Sequence, residues 1–357
     1  MGLVANLENR RASFTRSALE RLGFPPPREL SWQDVLRDPS TLEALSACDR
    51  VRLDSYGENA EVLDALVRLG GAAPTTHVEH GALALTEEAH RGWSTLLGWL
   101  GQSGIPREAW LCPPDVVGVM FDKWQTHLRL AEVGVARPES WLLPPSWPAL
   151  REVLPEQGRW FLKPLHGSSG SGVCAFRWHR DRMQLTAPIQ LVRDSEGVQL
   201  FNSLRVRTFA RPRDIGDILG DLLPAGMIGE AWLPKARVGG RELDLRVVVI
   251  AGEARHLVVR TSRHPITNLH LGNQRGDVDE LVSAHGGEAV EGCRRLAERA
   301  MEAFPEALFA GVDVLLGRDG RPWVLEVNAF GDLLPGVTHR GEDTALAILR
   351  AASEGAR

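Results

Sequence analysis

The spacing of apolar residues along the chain alternates between a strand-like and a helix-like period. Leu3–Asn6 reads as a short strand, and the segment from about Asn9 to Leu22 reads as a helix, closed by Gly23 and the stop at Pro25–Pro27. Arg50–Leu53 reads as a second strand. After Ser55-Tyr56-Gly57-Glu58, residues Val62, Leu63, Leu66 and Val67 recur at helical spacing. This alternation predicts an open α/β unit over residues 1–112, bounded by Pro113-Pro114. Beyond it, a helix is expected from about Phe121 to Val133, ended by Gly134 at a C′ position. A strand at Trp160–Lys163 breaks into a Gly/Ser loop and resumes at Val173–Trp178. Two hairpin patterns follow, around Ala251-Gly252-Glu253 and around Asp319-Gly320. Between them, Val290, Cys293, Leu296, Ala297, Ala300, Met301 and Phe304 fall on one face of an amphipathic helix. No internal repeat or low-complexity tract interrupts this pattern.

Composition narrows the picture without fixing it. A chain of 357 residues is too long for one compact core and fits two or three packed units. With 43% hydrophobic and 24% charged residues, it has an ordinary globular composition. The net charge of -5 gives no electrostatic reason to expect nucleic acid or an anionic membrane as partner. No apolar run approaches the roughly 20 residues of a membrane span. The start, MGLVANLENRR, lacks the apolar core of a secretory signal, and Asn6 stands where myristoylation wants Ser or Thr. Cys48, Cys112, Cys174 and Cys293 are far apart and form no CxxC pair, so reduced thiols of a cytoplasmic protein are expected. His77 and His80 form an HxxH, but nearby Pro74 argues against a helix and no third zinc ligand stands out.

The richest chemistry lies in GVDVLLGRDGRPWVLEVNAFG, residues 311–331. Asp319-Gly320 is a two-residue turn signal, because both residues tolerate positive φ. That turn sets Arg318 opposite Arg321 and hence Asp313 opposite Glu326, with Asn328 on the same face. The other face then carries Val312, Val314, Leu316, Trp323, Leu325 and Val327, all apolar. Two carboxylates directly across from each other repel unless a cation lies between them. Hard oxygen donors in that number suit Mg²⁺, with room left for water and phosphate oxygens. The plain alternative is a solvated sheet face.

Residues 160–173 read WFLKPLHGSSGSGV: a strand with Lys163 at its end, then Gly167, Ser168, Ser169, Gly170, Ser171 and Gly172. Such a loop can curl its N–H groups around phosphate oxygens while the lysine adds a point charge, although Gly/Ser loops are often only flexible turns. There is no GxxxxGK[ST], so this is not a P-loop, and Ser171 breaks a GxSxG elbow.

Taken in order, these pieces resemble the ATP-grasp superfamily, over about Asp115 to Ile348. Phe121-Asp122-Lys123, with Gly134 and Pro138, resembles the first lysine motif of that family. Lys163 resembles the second lysine, followed by the phosphate loop Gly167–Gly172. Ile228-Gly229-Glu230-Ala231-Trp232-Leu233 is similar to the hinge strand whose backbone reads adenine. Asp244-Leu245-Arg246, Arg260 and Thr267-Asn268-Leu269-His270 follow in the family's order, and Asp313, Glu326 and Asn328 match its metal ligands. By motif the nearest relatives are the glutamate ligases that modify ribosomal proteins, which share the Asn-Leu-His and Glu-Val-Asn strings. Three positions depart from the pattern: Ala231 where a carboxylate is common, Ile266 where an arginine is frequent, and Gly272-Asn273 where Gly-Gly often closes the segment.

The other hairpin adds geometry of its own. A three-residue loop at Ala251–Glu253 pairs Ile250 with Ala254 and sets Asp244 opposite Arg260, with Arg246 on their face. Arg246 and Arg260 could then clamp the γ-phosphate and the carboxylate it reacts with; a structural Asp–Arg pair is the alternative for Arg260.

The resemblance implies an N-terminal α/β domain at 1–112 and an ATP-grasp domain of two α+β subdomains at 113–352. Its lid subdomain would cover about 150–228 and its metal-binding subdomain about 229–352. It implies ATP as cofactor, held by Lys123, Lys163, the loop, Glu230–Leu233, Asp244 and Asn268, with one or two Mg²⁺ ions for which Mn²⁺ could substitute. The expected activity is an ATP-dependent ligase joining a small-molecule or peptide carboxylate to an amine. A kinase on the same fold and a nucleotide-binding regulatory protein are the alternatives. Neither nucleic acid nor membrane is an expected partner, and a homodimer is compatible with the chain. Arg52, Asp54, Ser55 and Glu58 are the acceptor-pocket candidates in the first domain.

Overall fold

The computed structural model describes residues 1–167, 170–195 and 197–355, apart from the side chain of His270. The first sheet is parallel, ordered β2-β1-β3: β1 is Gly2–Ala5, β2 Arg28–Ser31 and β3 Val51–Leu53. Helices α1 (Arg10–Arg21), α2 (Trp32–Arg37), α3 (Ala60–Leu69) and α4 (Thr86–Gly101) accompany it. The side chain of Asn9 accepts from the N–H groups of Arg11 and Ala12, which starts α1 where the chain leaves β1. Strand β2 and helices α2 and α4 were not anticipated from the sequence.

The second sheet is antiparallel, ordered β4-β9-β5-β6-β7-β8. Its strands are β4 (Ser140–Leu142), β5 (Gln157–Pro164), β6 (Cys174–His179), β7 (Arg182–Asp194), β8 (Gly197–Phe209) and β9 (Met227–Ala231). Around it lie α6 (Lys123–Glu132), α7 (Trp147–Val153) and α8 (Pro212–Leu222), while α5 (Pro114–Met120) packs on α4. Asp122 caps α6 through the N–H groups of Trp124 and Gln125, which places Lys123 at the first helical position. Gly134, at φ 66°, ends the same helix as expected. Leu162, Phe176, Ile189, Ile215 and Leu219 form a core belonging to this sheet alone.

The third sheet runs β13-β12-β11-β14-β15, with β10 (Arg237–Val238) paired to β11. Its strands are β11 (Arg241–Ile250), β12 (Glu253–Ser262), β13 (Gln274–Gly276), β14 (Phe309–Leu316) and β15 (Pro322–Asn328); α9 (Val278–His285), α10 (Gly287–Met301) and α11 (Thr344–Glu354) complete the chain. One face of β11, β14 and β15 packs Val247, Val312 and Val327 against Val290, Leu296 and Phe304 from α10 and its exit. The same apolar cluster continues without a break into Val4, Trp32, Leu66 and Trp93 around the first sheet. The opposite face packs Val248, Ile250, Val258 and Phe309 against Ala347, Ile348 and Ala351 of α11, and the rest of it is left for polar chemistry. Among the described residues, no helix is long and apolar enough to cross a membrane.

Candidate functional site

The polar face of the third sheet carries a set of alternating charges. Asp313 on β14 lies directly opposite Glu326 on β15, as expected, and Asn328 pairs with Gly311. The turn differs from the expected one. Leu316 pairs with Pro322, so the connection spans 317–321, and the N–H of Gly317 donates to the Arg321 carbonyl at 2.8 Å. A register shift between Asp313 and Val314 then restores the pairing. Arg318 is thus not paired with Arg321. The shift also corrects the apolar face: Val324 enters the core and Trp323 stays half-buried, while Leu325 turns to the polar side beside Glu326.

Strands β11 and β12 repeat this behaviour. Ala251 and Gly252, at φ 50° and 80°, form a two-residue turn, so Ile250 pairs with Glu253 rather than Ala254. A shift at Val248/Val249 brings Asp244 opposite Arg260, and Arg246 lies beside Asp313 across the β11–β14 pair. The two predicted facing pairs are thus present, although both turns were misjudged.

The side chains connect these positions. Arg260 donates to Asp244 at 2.7 Å and pairs with Asp313 at 3.2 Å. Arg246 grips Asp313 with two nitrogens, at 2.5 and 3.2 Å, and meets Asp332 at 3.5 Å. Lys123 donates to the Gly167 carbonyl at 3.0 Å and reaches Glu326 at 3.5 Å. Lys163 pairs with Glu230 at 2.5 Å. Burial by itself would raise the Glu326 pKa; Lys123, Lys163, Arg246 and Arg260 overcome it and hold the carboxyl below the ordinary range. Asp244 behaves likewise: burial opposes ionisation, but Arg260 and Lys235 bring its pKa down to about 2. Asp313 and Asp244 also drive Arg246 and Arg260 upward against their burial, Asp313 acting on both and Asp244 on Arg260.

Two cavities meet at Asp313, Glu326 and Arg260. The first, of about 100 Å³, is lined by Phe161, Ile266, Leu315 and Leu325, by Ala231 and Leu233, and by Lys163, Gly170, Glu230, Asp244 and Asn268. The second, of about 480 Å³, contains Gly167, Arg246, Asn268 and Asn328 and extends to Asn9, Arg11, Ser55–Glu58, Arg275 and Asp332. Lys123 borders a smaller hollow behind Glu230 and Glu326. Trp232, Ser171 and Gly172 line neither large cavity. Trp232 instead packs on Phe161 and beneath the Arg177 guanidinium, at 4.9 and 4.7 Å. Ser168 and Ser169 lie outside the described residues. Of the acceptor candidates, Arg52 and Asp54 are buried as a 3.5 Å pair away from the cavities, whereas Ser55 and Glu58 line the larger one. Lys235, Arg275, Asp332 and Tyr56 were missed; Arg275 lies on the three-residue strand β13 and the others outside named strands and helices, so none carries a periodic signal.

The donor set can be tested against a divalent cation. Asp313 and Glu326 offer hard carboxylate oxygens and Asn328 a carboxamide, all on one face. Guanidinium groups now compensate both oxygens of Asp313, so a cation there replaces positive charge with positive charge. The residues fit Mg²⁺. No trio of His, Cys, Asp or Glu gathers as a metal site among the described residues, so the remaining ligands would have to come from outside the protein. His77 pairs with Asp64 at 2.7 Å.

Comparison with known proteins gives the geometry its context. The family model described as YheC/D-like ATP-grasp matches residues 117–332. No curated protein matches. Among solved structures, D-cycloserine synthetase DcsG aligns over 100% of this chain and 99% of its own, at 17% identity and TM-score 0.60. The ATP-grasp ligase PsnB, complexed with a phosphomimetic variant of its minimal precursor, Mg and ADP, aligns over 99% and 98%, at 16% identity and TM-score 0.56. The macrocyclase MdnC from Microcystis aeruginosa MRC, bound with precursor peptide MdnA, aligns over 99% and 100%, at 14% identity and TM-score 0.52. Identities this low carry the fold. With the family model matching well over half of the sequence, the chain belongs to the YheC/D-like ATP-grasp family.

Proposed function

We propose that this protein is an ATP-dependent ligase that activates a substrate carboxylate as an acyl phosphate for attack by an amine. The observation that carries this reading is the meeting of two cavities at one charged face. The narrower cavity suits a nucleotide: apolar walls and the backbone of Glu230–Leu233 at one end for the base, Lys163 and Gly170 at the other for phosphates. The wider one is large enough for an acceptor, and Arg246 and Arg260 stand where its contents would meet the γ-phosphate.

In the first step a carboxylate oxygen attacks the γ-phosphorus, the bond to the β–γ bridging oxygen breaks, and ADP leaves. In the second the amine attacks the acyl carbon, inorganic phosphate departs and the amine gives up its proton. Lys123, Lys163, Arg246 and Arg260 position and neutralise the charge on the transferring group, which is the main catalytic requirement of phosphoryl transfer. Asp313, Glu326 and Asn328 would hold Mg²⁺, which would supply further positive charge against the phosphates. A carboxylate nucleophile needs no base in the first step, whereas a hydroxyl does.

The test is ADP release with Mg²⁺ against a panel of amino acids, small acids and peptides, with hydroxylamine then replacing the amine. The expected product is the hydroxamate of the accepted acid, with one ADP formed for each. Phosphate transfer to a substrate hydroxyl with no hydroxamate would overturn the ligase reading.

A further inference from the structure

Lys235 follows the hinge residues Glu230–Leu233 and has no role in the chemistry above. Its side chain is only 4% exposed, yet it lines the narrower cavity. Its ammonium group donates to the Thr267 hydroxyl at 2.7 Å and lies 3.4 Å from Asp244. Thr267 in turn donates to Asp244, which also accepts from Arg260. Lys235 therefore ends a chain of alternating charges running through Asp244, Arg260, Asp313 and Arg246 to Asp332.

Pairing with Asp244, which also accepts from Arg260 and Thr267, leaves part of this lysine's donor capacity unused. Burying an ammonium group is costly, and an apolar side chain would fill the same space without the desolvation. An ammonium has three N–H donors. Among the described residues, Thr267 and Asp244 take two and no protein acceptor takes the third. The position of Lys235 along the cavity indicates what that donor meets. On the nucleotide reading, Phe161, Leu315 and Leu325 would face the base and Lys163 and Glu326 the phosphates, and Lys235 lines the same cavity. Lys235 lies past the hinge on the charge chain that leads to the phosphates. Between base and phosphates a nucleotide offers ribose hydroxyls, which are neutral acceptors.

Resting on the nucleotide reading of this cavity, we infer that Lys235 is a further nucleotide-binding residue that donates to a ribose hydroxyl and selects ribonucleotides over deoxyribonucleotides. A site built to hydrogen-bond a hydroxyl rejects an analogue lacking it, because the buried polar group is left unpaired.

The experiment is calorimetric titration of the full chain, with Mg²⁺, by ADP, 2′-deoxyADP and 3′-deoxyADP. The wild type is expected to bind ADP about ten-fold more tightly than one of the two analogues. In Lys235→Met the two affinities become equal, through loss of ADP binding. Lys235→Gln keeps a neutral donor on a shorter arm and tests the same ratio should the methionine variant fail to fold; its preference should fall below about three-fold. A wild type indifferent to both hydroxyls overturns the inference. So does an undiminished preference in the variants with all three nucleotides weakened alike, which would mark Lys235 as structural support. Absence of ADP binding to the wild type would instead overturn the nucleotide reading of the cavity.

Discussion

Arg260→Met separates a structural ion pair from a catalytic guanidinium. Arg260 contacts Asp244 at 2.7 Å and Asp313 at 3.2 Å, with its side chain 8% exposed. Removing one partner of a buried pair costs about 3–5 kcal/mol when the other charge is stranded. Neither carboxylate is stranded here: Asp244 keeps Lys235 and Thr267, and Asp313 keeps the two-pronged grip of Arg246. The loss should therefore lie near the low end, about 3 kcal/mol. Against a total of roughly 5–15 kcal/mol, the variant remains folded at room temperature, with Tm lower by about 6–12 °C. Turnover should fall further, by about 10²–10³-fold, because a preorganised charge on the phosphoryl group is removed. Acid sensitivity supplies a second readout. The folded pKa of Asp244, about 2, lies below its ordinary value of 3.8, so its contribution is present above about pH 4 and is lost as pH falls toward 2. Without Arg260 that pKa moves back toward 3.8, so Asp244 contributes less above pH 4 and Tm falls less between pH 7 and pH 3. Arg260→Lys restores charge but not the forked geometry, so stability should recover more than turnover. Thermal melts at pH 7 and pH 3, set beside the ADP-release rate, measure all of this. Turnover fully restored by lysine, or retained by Met, would reduce Arg260 to a structural partner of Asp244.

Three further outcomes follow from the same geometry. Glu326→Gln and Asn328→Ala should weaken ADP binding with Mg²⁺ far more than without it, by calorimetry; equal affinities would remove both residues from the metal face. Lys163→Met should abolish most ADP affinity and also lower Tm, because Glu230, 7% exposed, loses its 2.5 Å partner. His90 stacks on His166 with ring centroids 3.2 Å apart, and burial first, then the His166 charge, lowers its pKa to about 4. A histidine with a depressed folded pKa supports stability above about pH 6.5 and loses that support as pH falls toward 4. His90→Asn should therefore flatten the Tm profile across that window, and an unchanged slope would refute it.

How much of this was legible in the sequence is clearest in the two hairpins. In each, the register beside the turn was misread by one residue, yet the functional pairs Asp313–Glu326 and Asp244–Arg260 came out facing. The local turn and the strand register answer to different forces. Glycine and aspartate chemistry decides the turn, whereas register follows the side that must be buried: Val247 and Val249 on β11, Val312 and Val314 on β14, Val327 on β15. A bulge absorbs the one-residue disagreement in each case. Helix α4 failed for another reason. A Cβ at its Gly92 would lie 1.9 Å from the Leu66 carbonyl oxygen, so this glycine permits α3 and α4 to touch. Lys235 and Asp332 reach the site from outside named strands and helices and Arg275 from the three-residue strand β13, where no period reports which way a side chain faces. The bulge on β15 has the largest functional effect. Strict alternation would send Leu325 to the core and leave only Glu326 on the polar side. With the extra residue, Leu325 and Glu326 both face the cavity, and Val324 and Val327 keep the core filled. One strand can then supply an apolar wall for a base and, at the next residue, a carboxylate for a cation. A regular ladder, with side chains alternating strictly between faces, could not place those two groups side by side.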